Sequence, residues 1–236
     1  MTIKNNKMTS TTIKTNSKLL AIPVIAVLLT VFIASMPPDA FAGTTCDVPD
    51  NHCYAYVRKT ISNRGGYGTI DINAANSVQS GYAIANPIWI GFSNNEWIEG
   101  GWQKGNISPC SNTTAKFYWY ETLGTTSSAC LETTSGATMT VKIDDSDLNN
   151  IYAVYINGVW KKSFTETRDA ARMTTGGEST HQSNVLTGGE DSGLVYYTTS
   201  GVATSWGSAN LSYSSHMHSY TDTRTSPYND YQYGGP

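Results

Sequence analysis

The sequence lacks the signatures of several large protein classes. Beyond residue 42, no long stretch places apolar residues at the spacing of an amphipathic helix. The chain has no G-x-x-x-x-G-K-S/T phosphate loop, no G-x-S-x-G nucleophile turn, no H-E-x-x-H metal-binding helix and no internal repeat. These absences exclude three common enzyme classes and indicate a protein built without a helical core.

Positive charge is also scarce. The 236 residues include 15 basic and 18 acidic side chains. Four of the basic residues and only one acidic residue lie in the first 42 positions, so the rest of the chain has 11 basic and 17 acidic residues, a formal charge of about −6. This balance argues against nucleic acid as a partner.

The first 42 residues have the layout of a signal peptide. Four lysines precede an apolar run, 19–35, and Ala40-Phe41-Ala42 supplies a small-x-small cleavage site. The run is close to the length of a membrane-spanning helix, so an uncleaved N-terminal anchor is the alternative, and only that case involves a membrane. Both readings place residues 43–236 outside the cell, as one secreted or extracellular domain.

Cysteine is rare, and its count is even. Cys46, Cys53, Cys110 and Cys130 all follow the leader, which in an exported chain favours two disulfides. Three pairings are possible, of which Cys46 with Cys53 and Cys110 with Cys130 is the most local. Neither spacing resembles a C-x-x-C zinc or redox motif.

Three N-x-S/T sequons are compatible with glycosylation outside the cell. They begin at Asn106, Asn112 and Asn210. Such triplets also arise by chance in a chain rich in Ser, Thr and Asn, so they support exposure weakly.

Short runs rich in Val, Ile, Tyr, Trp and Thr, broken by Gly, Asn and Ser, predict an all-β fold. The clearest is IYAVYI, Asn157-Gly158, VWKKSF, since Asn-Gly supplies the positive φ angles of a type I′ hairpin. Ten or so short strands in 194 residues predict a two-sheet antiparallel β-sandwich over 43–212, and 213–236 reads as a Tyr/Ser-rich tail without fixed structure. The other strands are predicted at 67–73, 79–85, 88–92, 97–103, 116–121, 138–143, 172–180, 194–199 and 203–206.

The most informative segment is IWIGFSNNEWIEGGWQKG, residues 88–105. Its second half alternates as a strand, with Ile98 and Trp102 on one face and Trp97, Glu99, Gly101 and Gln103 on the other. A carboxylate beside a tryptophan and glycines suits a groove that holds a polymer, with Trp97 and Gln103 as substrate-binding candidates. The alternative is a solvated outer face with a single acid.

A second acid lies in ARMTTGGEST, residues 171–180. Alternation directs Met173 toward a core and Glu178 to the opposite face, among small polar residues. Paired glycines beside an acid indicate close backbone approach, although they also occur in ordinary turns and bulges.

Several short motifs occur in an order that resembles the eqolisin-type glutamic peptidases, with a more distant likeness to neprosin-type domains. They are W-I-G (89–91), W-I-E-G-G-W (97–102), F-Y-W-Y-E (117–121), M-T-V-K-I (139–143), K-K-S-F (161–164) and T-G-G-E-S-T (175–180). The resemblance implies a β-sandwich similar to concanavalin A-like lectins and glucanases. It also implies an active pair of one Gln and one Glu that both face the groove.

Under this resemblance Glu178 matches the catalytic Glu, and Glu99 falls where the family has its Gln. The family's Glu acts as general base on water, and its Gln amide helps to hold the oxyanion. An ionised Glu99 would repel that oxyanion, so the chemistry requires Glu99 to hold a proton. Two nearby carboxylates raise one pKa, which favours peptide hydrolysis under acidic conditions.

Two other functions remain open on the same residues. An acid and a base flanking a glycosidic bond would make a glycosidase, with Trp97 and Trp119 as sugar platforms and Glu121 as a third possible groove acid. A catalytically silent module would instead bind an extracellular polypeptide or polysaccharide through the same aromatic groove.

Metal ligation is weakly indicated. His216 and His218 form an H-x-H pair that His52 or His181 would have to complete, and the aspartates of IDDSDLNN (143–150) lack the twelve-residue calcium-loop pattern. We therefore expect no metal and no cofactor.

Overall fold

A computed structural model describes residues 52–73, 76–181, 184–185 and 189–207, together with the backbone of 211–215, 220–221 and 231–233. Over these ranges the chain forms fifteen strands and no helix, which confirms the all-β prediction. Accordingly, none of the described residues belongs to a helix able to cross a membrane. The predicted signal peptide lies outside the described residues.

The strands pair antiparallel in two sheets. Their bounds are β1 (Cys53–Asn63), β2 (Gly65–Asp71), β3 (Ala83–Gly91), β4 (Trp97–Ile107), β5 (Cys110–Glu121), β6 (Ser127–Thr133), β7 (Thr138–Asp144), β8 (Ile151–Ile156), β9 (Val159–Thr165), β10 (Ala170–Ser179), β11 (Gly189–Tyr197), β12 (Ala203–Ser205), β13 (Leu211–Ser215), β14 (Tyr220–Thr221) and β15 (Tyr231–Tyr233). The first sheet has the order β13-β1-β10-β3-β4-β5-β6. The second has the order β14-β15-β11-β2-β7-β8-β9, with β12 beside β11.

The core lies between the two sheets and is built from alternate residues of each strand. Ile98 and Trp102 of β4 are fully buried there, as the alternation predicts, and the indole Nε1 of Trp102 donates to Asp71 O at 2.6 Å. A Cβ at Gly100 would lie 3.1 Å from Val154 Cγ1 of the opposite sheet. The sheets therefore pack closely over β4, and its other face is left for the site.

The Asn157-Gly158 hairpin forms as predicted. Asn157 has φ 50° and Gly158 has φ 75°, and they connect β8 to β9. The positive φ values that a type I′ turn requires thus fall on the two residue types that tolerate them best.

The predicted strands 79–85 and 88–92 are one strand, β3, although Pro87 lies inside it. Pro87 lacks the backbone N–H that a central strand donates. On the β4 side Pro87 lies opposite Gly101, and on the β10 side the pairing is interrupted between Thr175 and Glu178. The glycines of β10 thus lie where the proline weakens the ladder.

Three described segments near the C-terminus differ from the prediction of no fixed structure. β13 pairs with β1, and β15 pairs with β11 and β14. Composition predicts no fixed structure because aliphatic residues are almost absent there. A strand added at a sheet edge is nevertheless held by backbone hydrogen bonds, which do not require aliphatic side chains. These three segments are therefore strands.

A disulfide joins Cys110 to Cys130, with a Cα–Cα distance of 5.0 Å, and ties β5 to β6. This confirms one half of the most local pairing; the other half involves Cys46, which is outside the described residues. Of the sequon asparagines, Asn106 is exposed and Asn112 is half-buried, whereas Asn210 is not described.

Candidate functional site

A groove of about 900 Å³ lies on the face of the seven-stranded sheet that points away from the core. Its lining comes from alternate residues of β1, β10, β3, β4 and β5, together with the connection after β4. Glu99 and Glu178 both line it. The two acids that the sequence singles out therefore share one face, which an acid–base pair requires.

Strand register arranges the groove residues in three parallel rows across the strands. The Glu178 row consists of Tyr54, Glu178, Ala85 and Gln103; the glycine row of Tyr56, Gly176, Pro87, Gly101 and Tyr118; and the Glu99 row of Arg58, Thr174, Trp89, Glu99 and Tyr120. Adjacent rows are two residues apart along each strand. The glycine row thus forms a floor between two walls, and each wall carries one acid.

The floor is low because its centre has no long side chains. A Cβ at Gly101 would lie 2.3 Å from Asn86 O, and a Cβ at Gly176 would lie 2.3 Å from Ala55 O. Gly176 also has φ +139°, a conformation that side-chain-bearing residues rarely adopt. Only glycine fits these positions, and the trough between Glu178 and Glu99 stays open as a result.

Glu99 sits in a partly buried position between two donors. Trp97 Nε1 donates to Glu99 Oε2 at 3.1 Å, and the Tyr118 hydroxyl also forms a hydrogen bond with the carboxyl group. Burial, followed by the charge of Glu178, raises the pKa of Glu99 to about 8 and outweighs both donors. Glu99 therefore carries a proton at acidic and neutral pH.

Glu178 is buried in the opposite wall and has different partners. Its Oε1 contacts Nδ1 of His52, and the Tyr54 hydroxyl forms a hydrogen bond with the carboxylate. Burial, and after it the charges of Glu178 and Glu99, raises the pKa of Tyr54 far above its ordinary value. Because the phenol stays protonated, it donates to Glu178.

The same relationship holds on the Glu99 side. Burial and then the charges of Glu99 and Glu178 raise the pKa of Tyr118 well above its usual range. Each carboxyl group therefore has a tyrosine donor, and the charge of Glu178 acts on Glu99. The arrangement offers a protonated Glu99 and a second carboxyl group, Glu178, on either side of a shared open floor.

Gln103 is level with Glu178 across the sheet, with Ala85 between them. Its Nε2 donates to Ile107 O at 2.6 Å and to Cys110 O at 3.1 Å, and the side chain is buried. An amide nitrogen has two hydrogens, and both are used here. Gln103 lines the groove, but its amide donors hold the connection between β4 and β5.

No family model and no curated protein matches the sequence. Solved structures match the fold. Scytalido-glutamic peptidase with a transition state analog inhibitor aligns with a TM-score of 0.56 at 10% identity, covering 79% of this chain and 99% of that chain. Its structure with a peptide-based transition state analog gives 0.54 at 9% identity, with 79% and 98% covered. SCP-B of the eqolisin family, in complex with the tripeptide Ala-Ile-His, gives 0.50 at 8% identity, again with 79% and 98% covered.

The chain has the fold of the eqolisin glutamic peptidases. This confirms the resemblance drawn from the short aromatic motifs. Identities of 8–10% establish the eqolisin fold alone, so the chemistry rests on the residues of the groove.

Two of the residues proposed for the groove lie instead on the core-facing side of the sheet. Trp119 is 8% exposed and packs in the core against Phe164, with ring centroids 5.4 Å apart. Glu121 is buried and accepts hydrogen bonds from Leu123 N and Ser127 Oγ, each at 2.5 Å. Neither is a substrate-binding candidate, because on β5 the even-numbered Tyr118 and Tyr120 face the groove.

The other candidates lie in the groove of this eqolisin fold. Trp97 lines it and stacks on Tyr120, with ring centroids 6.1 Å apart and planes 16° apart. Gln103 lines it as well. The substrate roles assigned to these two remain predictions.

Sequence reasoning missed several groove residues. They are His52, Tyr54, Tyr56, Arg58, Trp89, Tyr118 and Tyr120. For β1 a usable signal was present: Tyr54, Tyr56 and Arg58 alternate with the buried Ala55 and Val57, the pattern of a half-buried strand.

Potential metal ligands have other partners where the structure describes them. Asp144 pairs with Lys142, Asp145 pairs with Arg64, and His181 packs on Tyr82 with centroids 4.3 Å apart. Within the described ranges, no three His, Cys, Asp or Glu side chains are grouped as metal ligands would be. His216 and His218 are outside these ranges.

Proposed function

We propose that this protein is a secreted glutamic-peptidase-like hydrolase that cleaves peptide bonds at acidic to neutral pH. The observation that carries the proposal is the placement of Glu178 and Glu99 on opposite walls of one open trough, with Glu99 held protonated. The leader pattern and the Cys110–Cys130 disulfide support an extracellular location.

In the first step, the Glu178 carboxylate takes a proton from a water molecule that attacks the peptide carbonyl carbon. A C–O bond forms, and the carbonyl oxygen becomes an oxyanion. The Glu99 carboxyl group donates its O–H to that oxygen, in the role of the amide that the family resemblance implies. Trp97 and Tyr118 donate to Glu99 and orient it.

In the second step, the protonated Glu178 gives the same proton to the leaving nitrogen. The C–N bond breaks, the oxyanion collapses to the new carboxylic acid, and Glu178 returns to the carboxylate form. Tyr54 and His52 hold Glu178 in one orientation throughout. Glu99 ends the cycle with its own proton.

The solved structures with this fold support a peptide substrate. One of them holds a peptide-based transition state analog, and another holds the tripeptide Ala-Ile-His. A trough floored by glycines also suits an extended backbone, which needs close approach along its whole length.

The test is the incubation of purified mature protein with a denatured protein substrate from pH 2 to 8, beside E178Q. We expect wild type to cleave and E178Q to lose at least about 100-fold in kcat, since the amide cannot accept water's proton. Lys162→Gln, at an exposed position of β9 on the other sheet, is the control for handling and folding. An inactive wild type, or E178Q with wild-type rates, overturns the proposal.

The aromatic lining favours a second candidate, a binding module. Six aromatic side chains line the groove: Tyr54, Tyr56, Trp89, Trp97, Tyr118 and Tyr120. Such rings bind sugar faces and peptide side chains without any chemistry. Saturable binding of a glycan or polypeptide by wild type and E178Q alike, without cleavage, would favour this candidate.

A further inference from the structure

Two arginines lie side by side on the groove face of the sheet. Arg58 of β1 is opposite Thr174 of β10, and Arg172 is two residues before Thr174 on the same face. Diagonal neighbours of this kind are within reach of each other's long side chains. Burial, followed by the charge of Arg58, lowers the pKa of Arg172, as expected for two cations at close range.

Neither arginine is paired with an acid in the described part of the chain. Arg58 Nε donates to Thr174 Oγ1 at 3.4 Å, and its guanidinium lies 4.9 Å from the centre of the Tyr56 ring. Arg172 donates to Phe92 O at 3.3 Å, and its Nε is buried without a hydrogen-bond partner. Among the described residues, these contacts occupy only a few of their ten N–H donors.

The other two arginines of the described residues behave differently. Arg64 pairs with Asp145 and Asp169, and Arg168 pairs with Glu96 and Glu166. Acidic residues outnumber basic ones in the mature chain, so carboxylates are not in short supply. Among the described residues, the two guanidinium groups without an acidic partner are on the groove face of the sheet, and Arg58 lines the groove itself.

We propose that Arg58 and Arg172 form a carboxylate-binding subsite at one end of the trough, so that the polymer it holds is a polypeptide with an acidic group near the cleaved bond. The position relative to a cleaved bond rests on the proposed function. The preference for a carboxylate rests on the two arginines alone. A guanidinium fork matches a carboxylate in shape and charge, and a carboxylate between two arginines also relieves their mutual repulsion.

Sheet geometry gives the position of that acidic group. Arg58 is on β1, two strands from Pro87, which lies at the middle of the glycine row between the two acids. Two strand spacings are about 10 Å, which an extended peptide spans with about three residues. The preferred acidic residue is therefore two to four residues from the cleaved bond, on the β1 side.

A carboxylate at that position has two sources: an Asp or Glu side chain, or the chain end of a short substrate. Both offer the same charge and fork geometry. Amidation of the C-terminus removes the interaction if the carboxylate is the chain end, but leaves it unchanged if the carboxylate is a side chain. The experiment uses that difference.

The binding arm uses E178Q and three sets of decapeptides, each followed by groove tryptophan fluorescence. The peptides of the first set are acetylated and amidated, and each carries one Asp at a different position. The second set is identical except that Asn replaces Asp. The third set carries Asn and has a free C-terminus. We expect Asp to bind about 10-fold tighter than Asn at the best position at low salt, and less at high salt. R58Q should reduce this ratio to near one, and K162Q should leave it unchanged.

The cleavage arm uses wild type, R58Q and R172Q on a denatured protein mixture, with the cut sites read by mass spectrometry. Wild type should favour sites with Asp or Glu two to four residues away on one side, and R58Q should lose that bias. A preference for free C-termini alone assigns the subsite to the chain end. R58K, which keeps the charge, gives the answer if R58Q does not fold.

The two proposals fail separately. Tight, Arg58-dependent binding of acidic peptides without any cleavage keeps the subsite and removes the peptidase. If wild type binds or cleaves Asp and Asn peptides equally well, the subsite proposal is wrong. The peptidase proposal is unaffected by that result.

Discussion

Gln103 and Glu178 lie level with each other across the sheet, two strands apart, with only the small side chain of Ala85 between them. Glu99 is four residues from Gln103, on the far wall of the trough. The groove therefore contains both an amide and a second carboxyl group near Glu178. Hydrogen bonding distinguishes them, because the amide donors of Gln103 are directed to Ile107 O and Cys110 O.

This arrangement predicts that Gln103 acts on stability more than on catalysis. Q103A should lower the free energy of unfolding by about 1–3 kcal/mol, since two buried carbonyl groups lose their donor. Its kcat should stay within about 10-fold of wild type. Denaturant unfolding and steady-state kinetics check both. A loss of 100-fold or more in kcat at unchanged stability would make Gln103 the oxyanion donor in place of Glu99.

Tyr118 should set the alkaline end of the pH range. Its hydroxyl group donates to Glu99 and favours the ionised form, which lowers the pKa of Glu99. Removal of that donor in Y118F should move the alkaline limb of the pH–rate profile to higher pH. Y120F is the matched control, because Tyr120 lines the groove and stacks on Trp97. Equal shifts in both variants would contradict the assignment.

Asp191 stabilises the fold more in acid than at neutral pH. It is fully buried, and burial raises its pKa from 3.8 to about 7, against hydrogen bonds from Asn86 and Thr175, with Asp71 and Glu190 adding to the rise. The folded state therefore favours the protonated form. Its contribution is complete below about pH 4 and is lost as pH rises to about 7.

The variant D191N should remove that loss. At pH 8 we expect it to be more stable than wild type by about 2–4 kcal/mol, and at pH 3 to be close to wild type. Urea unfolding at the two pH values measures the difference. D147N, at an exposed position, should show no such gain. A variant that is equally stable or less stable at pH 8 would contradict the role of Asp191.

The trough floor should tolerate no side chain. G101A brings a Cβ to 2.3 Å from Asn86 O, so the backbone of β3 or β4 must shift. We expect a loss of about 2–4 kcal/mol in stability and of most activity. G124A is the control, since a Cβ at Gly124 would meet open space, and its φ of +71° should cost only about 1 kcal/mol. An equal loss in the two variants would contradict close approach as the cause of the G101A loss.

Local pattern was sufficient to predict part of this structure. The alternation of Ile98, Glu99 and Trp102 correctly separates core from groove on β4, and Asn157-Gly158 correctly locates a hairpin, because both depend on neighbouring residues only. The F-Y-W-Y-E strand has aromatic residues on both faces, so its phase cannot be read from periodicity. This is why Trp119 was assigned to the groove and Tyr118 was missed.

Contacts between residues on neighbouring strands could not be predicted from the local sequence pattern. Tyr54 meets Glu178 across 124 positions of sequence, because β1 pairs with β10. Strand order and register create that contact, and no spacing in the sequence encodes them. The Glu99–Glu178 pair itself was predicted through the family resemblance, which supplied the strand order that composition lacks.

The central claim is that Glu99 works as a protonated donor, and the pH–rate profile of E99Q tests it most directly. Wild-type cleavage should fall above about pH 8, as Glu99 loses its proton. E99Q, whose amide donates at every pH, should cleave within about 10-fold of wild type at pH 5 and keep that rate at pH 9, whereas E99A should lose about 100-fold or more. An E99Q variant that is inactive at every pH, or that keeps the wild-type alkaline limb, would contradict the account.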